Sequence, residues 1–388
     1  MKKILLTFIL LTAGLYADSF EKFLDNAVKQ NFYLKSSALS IDQADEEGKI
    51  LTRYKNPSLE LEVSQFSPDI GSSENGYSAS YTQPLRLWGV GDDKKGLAEA
   101  INSSATTLFD RKKAKFIRDI SLLYTEYAKQ KMLLSLSDEA KKIAGKIYAI
   151  SQARYNSGTI SRGKMLQSKI AYEMAEAKKE ALSIRANQSY YQLLKYAGVD
   201  KEMNLDEKYE FKIMTTSQYN NPDIAYINAN KNRAIAQAKV NSNKIENINI
   251  YAVYEKEPDQ RIVRAGVDIP LALFNTKSQE KQIATLESKK SELLIKNENK
   301  RLSIELTRLQ KERTMLKKVE SQYKNVLISE LELFNMFEDG YKIANINLLE
   351  LQDIKNKMIA SKKHIIDIKT ALNKNAILTN YIQGNYNE

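Results

Sequence analysis

The apolar positions along the chain follow two different periods. Residues 58–66 place Leu59, Leu61 and Val63 on one face and polar residues on the other, which is the period of a β-strand. The same alternation recurs in three further segments, 77–85, 247–255 and 261–270. Turn residues separate the members of each consecutive pair, so the pattern predicts two β-hairpins.

Outside these segments the apolar residues recur every three or four positions, as Ile117, Ile120 and Tyr124 do. Residues 92–155 contain no proline, so the pattern predicts one helix about 96 Å long at about 1.5 Å per residue. The further predicted helices are 18–53, 160–198, 223–245, 275–340 and 346–381. The chain is therefore expected to be mainly α-helical with a small β part.

The chain also contains an internal duplication. Residues 77–198 align without a gap on 263–384, so that Pro84 falls on Pro270 and Trp88 falls on Phe274. A repeat of this length indicates a duplicated half-molecule rather than a solenoid. We predict two structural repeats, 18–204 and 205–388, each with a helix, a β-hairpin and a long helical hairpin.

The N-terminus has the pattern of a secretory signal peptide over residues 1–17. Lys2 and Lys3 precede an apolar run over 4–15, which is too short to cross a bilayer as a helix. Export is therefore expected, with a short retained anchor as the alternative. The chain has no cysteine, which excludes a disulfide framework.

The composition gives no indication of catalysis. The formal net charge is +11, but lysine alternates with glutamate along the helices, which is typical of solvated helix faces and not of nucleic-acid binding. There is one histidine, His364, and no cluster of metal-ligating residues. No phosphate-binding loop or nucleophile motif is present. We therefore predict no enzyme activity, no catalytic residue, no cofactor and no metal site.

Four strands are too few to close a membrane barrel, and sheet edges cannot remain open in lipid. If the hairpins enter a membrane, several copies must share one barrel, and three copies supply twelve strands. The alternative is a soluble antiparallel sheet with one face exposed to water. The predicted signal peptide, the duplication and the long helices favour the shared barrel.

Several segments resemble the outer-membrane efflux protein family, the TolC-like channels. They are residues 153–161, 194–198 and 340–353, together with the strand exits 83–89 and 269–275. The resemblance implies a homotrimer with a twelve-stranded β-barrel in outer-membrane lipid and a long α-helical barrel in the periplasm. It implies a passive exit duct of a tripartite efflux or type I secretion system. A periplasmic adaptor and an inner-membrane pump of RND or ABC type would be its partners.

The resemblance also implies a periplasmic gate formed by Glu350 and Asp353. These acids are three residues apart and therefore share a helix face, so three copies would place six carboxylates around one constriction. A solvated acidic pair is the alternative. The first repeat has Lys164 and Gln167 at the equivalent positions. A basic residue that latches this region in the family has no match here.

Two further sets of residues follow from the resemblance. The helical turns expected to dock the adaptor contain Asn156, Ser157, Gly158, Thr159, Ala344 and Asn345. The expected extracellular loops contain Pro68, Gly71 and Pro258.

The runner-up function is a periplasmic adaptor with a coiled-coil hairpin, which would require many short strands in compact β-domains. A purely structural periplasmic coiled coil is a third hypothesis. The sequence leaves the cargo open between a drug, a metal ion and a protein.

Overall fold

A computed structural model describes residues 19–67, 69–200, 203–214, 220–343 and 345–386. The predicted signal peptide, Pro68 and Ala344 lie outside these residues. The described chain forms seven helices and four strands in the order α1 (Phe20–Gln30), α2 (Phe32–Thr52), β1 (Ser58–Phe66), β2 (Glu74–Arg86), α3 (Val90–Asn156), α4 (Arg162–Ala197), α5 (Pro222–Asn241), β3 (Asn247–Lys256), β4 (Arg261–Asp268), α6 (Ser278–Lys342) and α7 (Leu348–Gln383).

The long helices lie where the apolar spacing predicts them. α3 has 67 residues and α6 has 65, and each is followed by a helix of 36 residues, α4 or α7. Pro-free sequence with apolar residues at helical spacing accounts for this length. None of the helices in the described ranges combines the length and the apolar composition needed to cross a membrane.

The single helix predicted over residues 18–53 is wrong, because Asn31 divides it into α1 and α2. The Asn31 backbone is extended, and its side-chain oxygen accepts a hydrogen bond from the Leu34 N–H at 3.0 Å. Its side-chain nitrogen donates to the carbonyls of Tyr196 and Ala197, both at 3.3 Å. Asn31 thus ends one helix, begins the next and contacts the last turn of α4.

The two hairpins form one antiparallel sheet in the order β1-β2-β3-β4. β2 pairs with β3, so that Tyr81 lies opposite Ala252. β1 and β4 are the outer strands, and each has one side without a neighbouring strand among the described residues. The sheet formed by one chain is therefore open at both edges.

The two hairpin turns lie together at one end of the sheet, where the strands of each hairpin are joined. Gly71, in the turn between β1 and β2, has φ 129°, a conformation that favours glycine. Pro258 lies in the turn between β3 and β4, which closes with a hydrogen bond from the Glu257 N–H to the Gln260 carbonyl at 3.0 Å. The helices that precede or follow the hairpins, α2, α3, α5 and α6, connect to the strands at the opposite end of the sheet.

The described residues up to 35, within 113–220 and from 302 onwards form one compact unit. Its largest buried cluster is aromatic, with Phe20, Phe23 and Tyr124 almost fully buried. The Tyr124 hydroxyl donates to the Asp206 carbonyl at 2.6 Å, and burial raises the pKa of this phenol well above its ordinary value.

Residues 36–112 and 221–301 form a second compact unit, which contains the sheet and α5. Arg111 forms an ion pair with Asp223 at 2.5 Å. The Ser104 hydroxyl donates to the side-chain oxygen of Asn230 at 2.7 Å. These contacts fix the first part of α3 against α5. Both compact units contain residues from both halves of the sequence.

Candidate functional site

One face of the sheet is apolar and exposed. In an antiparallel sheet, directly paired residues lie on the same face, and the register pairs Leu61 with Ala79, Ala79 with Tyr254, and Tyr254 with Val263. Leu61 is 73% exposed and Val263 is 78% exposed. We call this surface the apolar sheet face; its exposed large side chains are Leu59, Leu61, Val63, Tyr77, Tyr81, Leu85, Ile250, Tyr254, Val263 and Val267.

The opposite face, the polar sheet face, has most of the charged and hydroxyl side chains of the sheet. The register places Glu60 opposite Ser80 and Glu62 opposite Ser78 on this face. Glu255 and Arg264 form an ion pair there. A soluble sheet would bury its apolar face and expose its polar face, whereas here the apolar face has no cover within the described chain.

The turn between α3 and α4 contains four of the predicted docking residues. Asn156 is the last residue of α3, and Gly158 has φ 74°. The Thr159 N–H donates to the Arg154 carbonyl at 2.8 Å, and the Ser157 and Thr159 hydroxyls lie 2.8 Å apart. The second turn is closed by a hydrogen bond from the Asn345 N–H to the Gly340 carbonyl at 2.8 Å.

Glu350 has a structural role that was not predicted: it completes the cap at the start of α7. The Glu350 N–H donates to the Asn347 side-chain oxygen at 3.0 Å, and the Glu350 carboxylate accepts from the Asn347 N–H at 3.2 Å. This reciprocal pair is a capping box, and the spacing Asn-x-x-Glu could have indicated it from the sequence. One oxygen of the carboxylate therefore bonds within the helix end.

Asp353 lies one turn further along the same exposed helix face as Glu350. Its carboxylate forms an ion pair with Lys357 at 2.7 Å, and both side chains are exposed. The hydrogen bond from Lys357 to Asp353 raises the pKa of the lysine above its ordinary value. The first-repeat counterparts Lys164 and Gln167 are also exposed at the start of α4.

A buried contact joins the end of α3 to the end of α6. The hydroxyls of Ser151 and Tyr341 lie 2.8 Å apart, and both residues are almost completely buried. The Arg154 guanidinium donates to the Tyr341 carbonyl at 2.9 Å and lies over the tyrosine ring at 4.7 Å. We refer to these interactions of Ser151, Arg154 and Tyr341 as the α3–α6 contact. The elements predicted from the sequence do not include this contact.

An apolar cluster surrounds the α3–α6 contact. Its buried members come from α3, α6 and α7 and are Ile147, Phe334, Tyr341, Leu348, Leu351, Ile354 and Met358. Lys355 is also buried on this face of α7, between Leu351 and Met358 in helical spacing. Burial lowers the pKa of Lys355, and the ammonium group of Lys178 on α4 lowers it further.

Within the ranges that the structure describes, no three His, Cys, Asp or Glu side chains come together as a metal site would require. His364 packs its ring against Tyr323 with a centroid distance of 4.8 Å. The second compact unit thus contains an uncovered apolar sheet, and the first contains the two helical turns and the buried α3–α6 contact.

Comparisons with known proteins give a match to one family model and matches to several solved structures. Residues 23–199 match the family model described as outer membrane efflux protein. No protein with a curated description matches the chain.

Several solved structures share the fold. The CmeC outer membrane channel of Campylobacter jejuni is 13% identical, with a TM-score of 0.73 over 94% of this chain and 85% of that one. The outer membrane protein VceC of Vibrio cholerae is 11% identical, with a TM-score of 0.75 over 94% and 95%. The MtrE outer membrane channel of Neisseria gonorrhoeae, in its open state, is 14% identical, with a TM-score of 0.69 over 94% and 89%. At this level of identity the likeness shows the fold.

Proposed function

We propose that this chain, whose residues 23–199 belong to the outer membrane efflux protein family, forms the outer-membrane exit duct of a tripartite efflux or type I secretion system. It is a passive conduit, and an inner-membrane pump of RND or ABC type supplies the energy. The observation that carries the proposal is the uncovered apolar sheet face on a sheet whose two outer strands have no further strand partner among the described residues.

An apolar face of this kind is stable against lipid acyl chains, but open edges are not, because unpaired backbone groups have no water to bond in a bilayer. Closure therefore requires strands from other copies. Three copies give a twelve-stranded barrel with the apolar sheet face outside and the polar sheet face lining the pore. The homotrimer lies in the outer membrane, with its helical part in the periplasm.

The duplicated halves, residues 18–204 and 205–388, support this assembly because each supplies a hairpin and a long helical hairpin. A ring of three such chains has nearly six-fold symmetry, which allows similar contacts to repeat around the circle. No observation within the described residues favours the periplasmic adaptor, since the strands form one sheet of two hairpins rather than compact β-domains.

The helical turns are the proposed docking sites for the periplasmic adaptor. They contain Asn156, Ser157, Gly158 and Thr159 in the first repeat and Asn345 in the second, with Ala344 adjacent in sequence. The proposed extracellular loops are the hairpin turns around Gly71 and Pro258. Both turns lie at the end of the sheet opposite the strand ends that connect to helices.

The proposed channel is tested by reconstituting the purified protein in planar lipid bilayers and by cell fractionation. We expect trimers in the outer-membrane fraction and discrete single-channel currents. A monomeric protein that remains soluble without detergent and produces no current would contradict the function.

Glu350 and Asp353 are the proposed gate acids, and removing their charge should weaken cation block of the current. The suitable variant is Glu350→Gln with Asp353→Asn, because glutamine at this position preserves the capping box. With six carboxylates neutralised in a trimer, we expect block by a trivalent cation to weaken by about an order of magnitude.

The control for the gate acids is Asn347→Ala, which removes the cap but keeps both charges. This variant should reduce stability by about 1 kcal/mol while leaving cation block unchanged. If the charge variant retains full block and selectivity, Glu350 and Asp353 are a solvated pair whose role is confined to the helix.

A further inference from the structure

The pairing of β2 with β3 is an internal junction between the two hairpins of the sheet. Thr82 of β2 pairs with Ser58 within the first hairpin and with Tyr251 of β3 across the junction. In the described part of the chain, β4 and β1 each have one side on which no strand pairs. These two strands are the counterparts of β2 and β3 in the duplication, so a second copy of the chain can repeat the junction at the outer strands.

The duplication specifies the register of that repeated junction. Thr82 and Asp268 are equivalent positions in the gapless alignment of the two repeats. Thr82 pairs with Ser58 in the first hairpin. Asp268 pairs with Asn249 in the second hairpin, so Asn249 is the counterpart of Ser58.

The position opposite Asp268 on its other side follows from this correspondence. Tyr251 lies two residues further along β3 than the counterpart of the first β1 residue, and it therefore corresponds to Glu60. We infer that β4 of one copy pairs with β1 of the next in the register of the β2–β3 junction, which places Asp268 opposite Glu60. Arg264 then lies opposite Ser64. This inference rests on the proposed homotrimer, and we call each contact of β4 with β1 of the next copy a subunit seam.

The stagger of the strands supports this register. Crossing one hairpin and the β2–β3 junction, from Ser58 through Thr82 to Tyr251, moves the pairing two residues along the equivalent strand. If all six hairpins of a trimer add the same stagger, twelve strands are displaced by about 12 residues around the ring. With about 3.3 Å per residue and about 4.8 Å between strands, this displacement gives a strand tilt of about 35°, within the range of closed barrels.

A register shifted by two residues would match charges better but would give too little tilt. It would place Arg264 opposite Glu62 and would move Asp268 away from Glu60. The displacement around the ring would fall to about six residues and the tilt to about 20°. One exposed cross-strand charge pair changes an equilibrium constant by about fivefold at most. The stagger, in contrast, is set by the twist of every strand pair in the ring, so we expect the geometry to decide the register.

The inferred register brings like charges together at each subunit seam. Glu60 of one copy and Asp268 of the next face each other on the polar sheet face, and the Asn249 side-chain nitrogen donates to the Asp268 carboxylate at 3.1 Å. The equivalent positions at the β2–β3 junction are Thr82 and Tyr251, which carry no charge. Because like charges directly opposite weaken strand pairing, the seam should be weaker than the internal junction.

The chain has no cysteine, so introduced cysteine pairs can test the register. Each variant combines Arg264→Cys with Ser64→Cys, Glu62→Cys or Phe66→Cys, and single-channel currents under reducing conditions establish that it assembles. Directly opposite residues have Cα atoms about 4.5–5.5 Å apart, which suits a disulfide, whereas diagonal neighbours lie about 7–8 Å apart. Within one chain β1 and β4 are about 14 Å apart, so any disulfide joins two copies.

After oxidation of outer membranes with copper phenanthroline, we expect the Ser64 pair to form covalent dimers and trimers at least about tenfold faster than the other two pairs. Faster cross-linking of the Glu62 or Phe66 pair would overturn this register while leaving the channel intact. Conducting variants that do not cross-link at any of the three pairs would also overturn it. A wild-type protein that neither forms trimers nor conducts would overturn the channel function and the seam together.

Neutralising one carboxylate tests the same register without cysteines. Glu60→Gln removes the like charge opposite Asp268 and should raise the temperature at which trimers dissociate in detergent by a few degrees. The matched control is Glu62→Gln on the same strand and face, which lies opposite Gly266 and should leave that temperature near the wild-type value. Loss of trimer stability in Glu62→Gln, with no change in Glu60→Gln, would instead indicate the register in which Arg264 faces Glu62.

Discussion

Tyr341→Phe combined with Arg154→Ala should produce a channel that is open far more often than the wild type. The α3–α6 contact exists only while the end of α6 lies against α3, so it stabilises that arrangement of the helices. Tyr341→Phe removes the hydrogen bond to Ser151, and Arg154→Ala removes the guanidinium from the carbonyl and the ring. The Ser151 hydroxyl keeps its bond to the Ile147 carbonyl at 2.8 Å, so the variant leaves that buried group satisfied.

The expected size of the effect follows from the interactions that the two substitutions remove. Two hydrogen bonds contribute about 1 kcal/mol each and the stacked guanidinium about 0.5–1 kcal/mol. Since 1.4 kcal/mol corresponds to about tenfold in an equilibrium constant, each protomer should shift towards the open arrangement by more than about tenfold. In the proposed homotrimer, three protomers around one pore would increase the shift further.

Single-channel recording of the purified variant measures this shift as open probability and mean conductance. The matched control is Tyr155→Phe with Arg162→Ala. Tyr155 is the repeat counterpart of Tyr341 but is 38% exposed, and Arg162 is an exposed arginine at the start of α4. The control should behave like the wild type. If both variants conduct equally, the α3–α6 contact does not restrain the pore.

Gly384→Ala should destabilise the protein severely, whereas Gly198→Ala at the equivalent position of the first repeat should have a modest effect. Both glycines end a helix with positive φ, 81° and 69°. A side chain in this conformation costs about 1–2 kcal/mol at either position.

The two sites differ in the space available. A Cβ atom at Gly384 would lie 2.3 Å from the carbonyl oxygen of Asn220, whereas a Cβ atom at Gly198 would meet Asn31 at 3.4 Å, an ordinary contact. The Asn220 backbone is restrained because the next residue, Asn221, is the N-cap of α5. We therefore expect an additional loss of about 2 kcal/mol or more for Gly384→Ala, as for other overpacked sites.

The thermal unfolding midpoint of the purified protein and the amount of protein in the outer membrane measure the difference. Gly384→Ala should lower both well beyond Gly198→Ala. Equal effects of the two substitutions would show that the chain relieves the contact with Asn220 by a small movement.

The sequence pattern was sufficient for the elements whose cause is local. β1 was predicted as residues 58–66, and β3 and the long helices were predicted within a few residues of their bounds, because alternation and helical spacing are properties of neighbouring residues. The capping box of Glu350 belongs to the same class. It was missed although Asn347 and Glu350 have the required spacing.

Features that depend on distant segments could not be predicted in this way. The break at Asn31 depends on carbonyls at the end of α4, and nothing adjacent to Asn31 in sequence indicates them. Tyr155 and Tyr341 are equivalent in the duplication, yet only Tyr341 is buried. Its partners Ser151 and Arg154 belong to the other repeat, so the asymmetry becomes visible only when the two helical hairpins are packed together.

β1 and β4 each have one side without a partner strand in the described part of the chain, and this has a genetic consequence. In the proposed trimer, β1 of each chain must form hydrogen bonds with β4 of the next chain. Every subunit therefore pairs with an outer strand of both of its neighbours. A chain able to dock through β4 but defective along β1 would enter rings and leave them with a gap. Such an allele should be dominant over the normal one, because a single defective subunit prevents closure of the whole barrel.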